Sequence, residues 1–229
     1  MSDHQPVDVA AGHRVYTSRF LSFYDLVVLG WFSNTAWRCP AAVLTSHYDA
    51  HVSANHLDVG VGAGYFLDHC TFPTPHPRLA LMDINPACLA ATSRRVSRFL
   101  PETHTADVLE PLAPQLGSDI AGFDSIGMTY LLHCLPGTIS AKSAVFGNLL
   151  ALANHGATVF GATLLSGGVT RNWYARRVMA FNNHRGIFSN AGDDLVGLES
   201  VLREHLDEPS VAIRGCVALF AGKMGRSVA

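Results

Sequence analysis

Asp58, Gly60, Gly62 and Gly64 have the types and spacing to do chemistry. They lie in HLDVGVGAGYFLDHC (56–70), where an apolar run gives way to three glycines and then to a helical pattern. Glycine permits backbone dihedrals closed to other residues and lets a ligand come close. A glycine turn that opens a helix also aims backbone N–H groups at an anion. Two familiar loops are excluded. The dinucleotide fingerprint GxGxxG needs its third glycine at position 65, which is Tyr65, and the terminal GK[ST] of a phosphate loop is missing. The pattern present is DxGxGxG.

These residues need elements to hold them. HLDVG (56–60), RLALMDI (78–84), THTAD (103–107), FDSIGMTYL (123–131) and ATVFGATLL (157–165) read as short strands. Helix-like stretches separate them: AGYFLDHC, PACLAATSRRVSRFL and TISAKSAVFGNLLALAN. Strands alternating with helices predict βαβ units and a parallel sheet with right-handed crossovers. The rhythm breaks after residue 165. Residues 168–207 read as mostly helical with a Gly/Asn/Asp-rich interruption at 182–193, and SVAIRGCV and ALFAGKM then suggest an antiparallel hairpin at the sheet edge. Upstream, residues 14–54 read as helical, with Cys39-Pro40 as punctuation. The expected fold is α/β: a Rossmann-like seven-stranded sheet, mostly parallel with an antiparallel C-terminal edge strand and helices on both faces. The expected division is an N-terminal helical lid (1–54) and a catalytic domain (55–229) carrying a helical insertion (166–207).

Composition narrows the classes. The 229 residues are 48% apolar and 15% charged with a net charge of −2, which suits one compact domain and leaves no basic footprint for nucleic acid. No apolar run approaches the roughly 18 residues of a membrane span. Five scattered cysteines without CxxC pairs read as reduced thiols of a cytoplasmic protein. The twelve histidines are not read as an HxxxH or HExxH pair on a helix, so no metal site is expected.

Four segments, in order, resemble the motifs of class I S-adenosylmethionine-dependent methyltransferases over roughly residues 50–224. They are LDVGVGAGYFLD, Asp83 in LALMDINPACL, Asp107 in THTADVLEPL, and FDSIGMTYLLHCLP. The composition is similar to the small-metabolite, ubiquinone/menaquinone-biosynthesis type. The resemblance implies S-adenosylmethionine as cofactor. The Gly60–Gly64 loop would approach its methionyl part, with Asp58 and backbone carbonyls serving the cationic end. Asp83 would accept from both ribose hydroxyls and Ile84 would pack on adenine. Asp107 would accept from the exocyclic amine beside Val108, and Met128 would floor the pocket. Plainer readings stand beside these: Asp83 and Asp107 as turn or cap acids, Met128 as core filler. Asp58, inside a buried strand, needs a partner in either case.

For the acceptor side the resemblance offers His133 as a general base or a packing residue, and Tyr130 as pocket lining. Tyr16, Tyr24 and Trp37 could close an aromatic face over a sulfonium or simply anchor an amphipathic helix. Trp173, Tyr174, Asn182, Asn183 and His184 belong to the segment that would shape the acceptor pocket. Position four reads MTYL where enzymes acting on base amines or glutamine amides carry [DNS]PP[YF], so nucleic acid and amide substrates are not expected. The expectation is O-, N- or C-methylation of a small, partly apolar metabolite. The alternative is a non-methylating protein of the same fold that catalyses a cyclisation or only binds. A nicotinamide oxidoreductase is disfavoured by Tyr65. Oligomeric state is left open, a homodimer being one option.

Overall fold

The structure, a computed structural model, describes residues 33–116, 120 and 122–225. Tyr16, Tyr24 and most of the expected helical lid lie outside the described residues. A helix α1 (Ala41–His51) leads into β1 (Asn55–Val59), α2 (Tyr65–His69), β2 (Arg78–Asp83), α3 (Pro86–Arg95), β3 (Glu102–Thr105) and β4 (Phe123–Thr129). There follow α4 (Ala144–Leu150), β5 (Ala153–Leu164), α5 (Trp173–His184), α6 (Leu195–His205), β6 (Leu206–Arg214) and β7 (Val217–Met224). The helix starts follow from local chemistry. Asn85, Asn172 and Asp194 each turn a side-chain oxygen onto a backbone N–H of the first turn of α3, α5 and α6, and Pro86 opens α3.

The sheet order is β3-β2-β1-β4-β5-β7-β6. Strands β1 to β5 run parallel, and β7 runs antiparallel to both its neighbours. The expected seven-stranded sheet is present. The C-terminal hairpin seats the antiparallel strand β7 beside β5 and leaves β6 on the rim. The chain winds one way from β1 to β3 and the other way from β4, so the switch point lies between β1 and β4, where open α/β sheets bind ligands beyond the strands' C-terminal ends.

Parallel strands covered on both faces read as continuous apolar runs; β2 is such a run between Arg78 and Asp83, whereas β1 is buried over His56–Val59 but carries the polar His56 and Asp58. Side chains alternate across the sheet. Leu57, Val59, Met82, Ile126 and Met128 face one core with Phe146 and Leu149 of α4 and Leu198 and Leu202 of α6. Leu79 and Leu81 face the other with Tyr48 of α1, Leu67 of α2 and Leu89 of α3. The described part of residues 1–54 shares its core with the sheet. Trp37 and Leu44 pack with Ala175, Met179 and Leu219, and the Trp37 carbonyl accepts from Cys216 N at 3.1 Å.

Helix α1 carries an HxxxH pair, His47 and His51, that the sequence reading does not place. Its geometry is local: His47 Nε2 lies 3.1 Å from the Phe220 carbonyl and His51 Nδ1 lies 2.7 Å from the His47 carbonyl. Burial, helped by the neighbouring His51, lowers the His47 pKa to about 4. All five cysteines are unpaired. Burial pushes the thiols up, Cys39 to about 11 and Cys88 to about 12, which makes them poor nucleophiles.

Candidate active site

A cavity of about 580 Å³ opens at the C-terminal ends of β1, β2 and β4, at the switch point. Its volume is that of an ordinary small-ligand site. The first wall is the glycine loop. Gly60, Gly62 and Gly64 all have positive φ (71°, 52° and 72°). A Cβ on Gly60 would stand 2.7 Å from Leu131 Cδ1, and one on Gly64 would stand 2.7 Å from Thr92 Cγ2, whereas at Gly62 it would meet nothing within 4 Å. The first and third glycines are thus required by packing as well as by dihedral. Thr92 Oγ1 donates to the Gly62 carbonyl at 3.0 Å and Arg95 to the Ala63 carbonyl at 3.1 Å, which fixes the loop on α3.

Asp83 closes β2 at the cavity. Its Oδ1 accepts from Asn85 N at 2.8 Å and its Oδ2 lies 3.4 Å from Gly62 N, so one carboxylate ties the glycine loop to the next turn. Ile84 beside it is 39% exposed, an apolar side chain turned into the cavity. Asp107 lines the same side; its Oδ1 accepts from Leu109 N at 3.0 Å. The plain reading of Asp83 and Asp107 as turn acids and the ligand reading are therefore compatible. Val108 is buried and contributes to the lining.

Asp58 is 7% exposed and lines the cavity from within β1. The partner it requires is Tyr48 of α1, whose hydroxyl donates to Oδ1 at 3.0 Å. The sequence reading missed Tyr48 and His56, although a histidine in an apolar strand two positions before Asp58 is a signal for a shared face.

Much of the remaining lining is apolar. Leu131, packed against Gly60, is joined by Leu135 and Pro136 from the segment after β4 and by Ile187 and Phe188 from the loop after α5. Tyr130 also lines the cavity, at φ 65°, with its N–H donating to the Ala162 carbonyl at 2.7 Å. A bulky residue held at positive φ beside a cavity marks a site where the surroundings over-determine the backbone. The 185–193 loop is pinned at several points. Ser189 N donates to the His133 carbonyl (2.8 Å), Asn190 Nδ2 to the Leu164 carbonyl (2.9 Å), and Asn183 and Asn190 exchange two bonds of 2.8 and 3.1 Å. Beneath it Lys142 pairs with Asp193, both 1% exposed, and Lys142 also donates to the Ser189 carbonyl at 2.7 Å.

Several expected site residues stand elsewhere. Met128 does not line the cavity: the strand alternation that aims Gly127 at Asp58 aims Met128 into the opposite core. His133 is 3% exposed and packs edge-on against Phe188, outside the lining. Burial, with the Lys142 charge added, lowers its pKa to about 3, so the ring is neutral and a weak base. Its Nδ1 lies 3.5 Å from Leu164 N. Trp37 is buried against the C-terminal hairpin, with its ring 6.3 Å from Phe188. Trp173 is 68% exposed at the start of α5. Asn182 donates to the Val178 carbonyl while its own carbonyl receives Ile187 N and Phe188 N, so it builds the turn. Asn183 does line the cavity. Tyr24 lies outside the described residues. The residues the sequence reading missed on this wall, Ile187 and Phe188, sit inside the Gly/Asn/Asp-rich interruption it marked.

No family model matches the chain. The chain is 40% identical over 218 residues to demethylluteothin O-methyltransferase of Streptomyces thioluteus, covering 95% of this chain and 92% of that one. It is 35% identical over 210 residues to a physcion biosynthesis cluster O-methyltransferase of Aspergillus chevalieri, covering 91% and 93%. Among solved structures it resembles a DhpI–SAH complex (TM-score 0.66, 13% identity, 98% of this chain and 99% of that one). It also resembles the NodS N-methyltransferase of Bradyrhizobium japonicum with S-adenosyl-L-homocysteine (TM-score 0.58, 16% identity, 91% and 98%).

Proposed function

Because this chain belongs to the S-adenosylmethionine-dependent small-molecule methyltransferases, we propose that it methylates a hydroxyl oxygen, a phenol or an enol, on a flat and partly apolar ring. It is an enzyme of the kind found among secondary-metabolite methyltransferases, and its cofactor is S-adenosylmethionine. No helix among the described residues is long and apolar enough to cross a membrane.

The observation that carries the proposal is the division of the cavity. Carboxylates and the glycine loop make up one part of its lining. Leu135, Ile187 and Phe188 make up another, an apolar surface of the kind a planar ring would use. The names of the related O-methyltransferases agree with oxygen as the acceptor atom. Nucleic acid finds little support, since the net charge is −2.

The residues present fit the cofactor. A half-exposed Ile84, a Gly62 face open to the cavity and an inward Asp58 are what a nucleoside with a cationic amino-acid end would use. In this reading Asp83 accepts from the ribose hydroxyls, Ile84 packs on the adenine, and Asp107 and Val108 receive its amine edge. Asp58 takes the ammonium. When bound, S-adenosylmethionine supplies an electrophilic methyl group on a sulfonium. The chain's task is to orient the acceptor and exclude water, which an apolar slot does. His133 takes no proton in this account, so the acceptor hydroxyl is one that ionises readily by itself.

The test is transfer of an isotope-labelled methyl group to a panel of phenols, enols, amines and enolisable ketones. The product's attachment atom is then read by fragmentation mass spectrometry. Oxygen methylation of phenolic or enolic rings is expected. Products methylated only at nitrogen or carbon would overturn the proposal.

A further inference from the structure

The buried contacts around Asp58 form a chain that ends outside the cavity. Tyr48 is 1% exposed and His56 0%. The Tyr48 hydroxyl lies 3.0 Å from Asp58 Oδ1 and 2.7 Å from His56 Nε2, while His56 Nδ1 lies 2.8 Å from Ser125 Oγ. Ser125 Oγ in turn accepts from Ser53 N at 2.9 Å. A hydroxyl has one proton. Given to Asp58, it leaves the phenol oxygen to accept from His56 Nε2–H, which sets the tautomer. The strand register makes the chain possible: His56 faces Ser125 and Asp58 faces Gly127, where a Cβ would stand 2.9 Å from Asp58 Oδ1 and 3.1 Å from His56 Cε1. Glycine at 127 therefore leaves the room the assembly occupies.

One carboxylate oxygen is thus held from behind. Among the described residues no group donates to Asp58 Oδ2, and Asp58 lines the cavity. Buried polar groups left half-satisfied are costly, so a free oxygen at a cavity wall is an acceptor awaiting a donor. We propose that Tyr48, anchored through His56 and Ser125, is the positioning residue that aims Asp58 at the amino-acid end of the cofactor. This rests on the cofactor orientation proposed above. Tyr48 touches no ligand in this account; it acts through Asp58, by fixing one oxygen and so directing the other.

The experiment compares two ligands that share adenosine and sulfur: S-adenosylhomocysteine, which has the amino-acid end, and 5′-methylthioadenosine, which lacks it. Both are titrated by calorimetry into the wild type, Asp58→Asn, Tyr48→Phe and the double variant. Tyr48→Phe is expected to weaken S-adenosylhomocysteine roughly tenfold, the loss of about one hydrogen bond to a charged group. Binding of 5′-methylthioadenosine should be unchanged, and the double variant should be no weaker than Asp58→Asn. Equal weakening of both ligands by Tyr48→Phe would mean packing alone and overturn the inference. So would an effect of Asp58→Asn that Tyr48→Phe does not share. If Asp58→Asn leaves the preference between the two ligands untouched, the cofactor orientation itself is wrong and the inference goes with it. Should Tyr48→Phe fail to fold, Ser125→Ala, which removes the hydroxyl at the other imidazole nitrogen, is read in the same way.

Discussion

His133 meets Phe188 edge-on, with ring centroids 4.7 Å apart at 89°, and of the two only Phe188 lines the cavity. The histidine therefore supports the cavity wall that carries Phe188. His133→Phe keeps a ring against Phe188 and removes the nitrogens. The variant should lose less than about tenfold in kcat, well short of the roughly 10²–10⁴ that a general base contributes. His133→Ala should loosen Phe188 and raise the acceptor KM. Steady-state kinetics of the two variants over a series of acceptors of different acidity checks both statements.

The same burial makes a pH prediction. The folded state holds His133 near 3 and His47 near 4, both below the ordinary value of 6.5, so between these limits the unfolded chain binds protons that the folded chain refuses. Stability is then fully present above about 6.5 and falls as the pH drops below it. Denaturant titrations at pH 7.5, 6 and 5 should show this decline, with a shallower slope in His133→Phe.

Lys142 and Asp193 form an ion pair buried beneath the loop that carries Phe188. Burial moves both groups toward neutrality, lowering the Lys142 pKa and raising that of Asp193, while each opposes the shift in the other. Lys142→Met leaves Asp193 buried without a counter-charge and should cost about 3–5 kcal/mol, whereas Lys142→Met with Asp193→Leu should recover most of that. Chemical unfolding of the single and double variants measures the difference. The double variant should still bind S-adenosylhomocysteine as the wild type does.

The part of the cavity around the glycine loop was legible in the sequence because its residues are set by local rules. Three positive-φ glycines, an acid closing β2 and an Asn-Pro helix start each leave a mark at fixed spacing. Asp83, Ile84, Asp107 and Val108 line the cavity for that reason. Residues placed by tertiary alternation were not legible. Met128 turned to the other core because Gly127 is the position that faces Asp58. Trp173 carries the strongest aromatic signal in its segment, yet it stands on the outer face of α5. Phe188 lies four residues past the end of α5, in a loop that is held at Ser189 and Asn190 by contacts from β4's exit, β5 and Lys142, none of them near it in sequence. Tyr48 and Asp58 are ten residues apart on different elements, and only the packing of α1 against the sheet joins them.

The most direct test of the account is the affinity of Asp83→Ala for S-adenosylhomocysteine, measured by calorimetry alongside the variant's melting temperature. Asp83 ends a strand at the cavity and its carboxylate faces Gly62 and Asn85 as well as the ligand space. The account predicts a folded protein with binding weaker by roughly 1.5–3 kcal/mol, about ten- to a hundredfold, the size expected for lost hydrogen bonds to a charged group. A folded Asp83→Ala protein that binds S-adenosylhomocysteine as tightly as the wild type would contradict it.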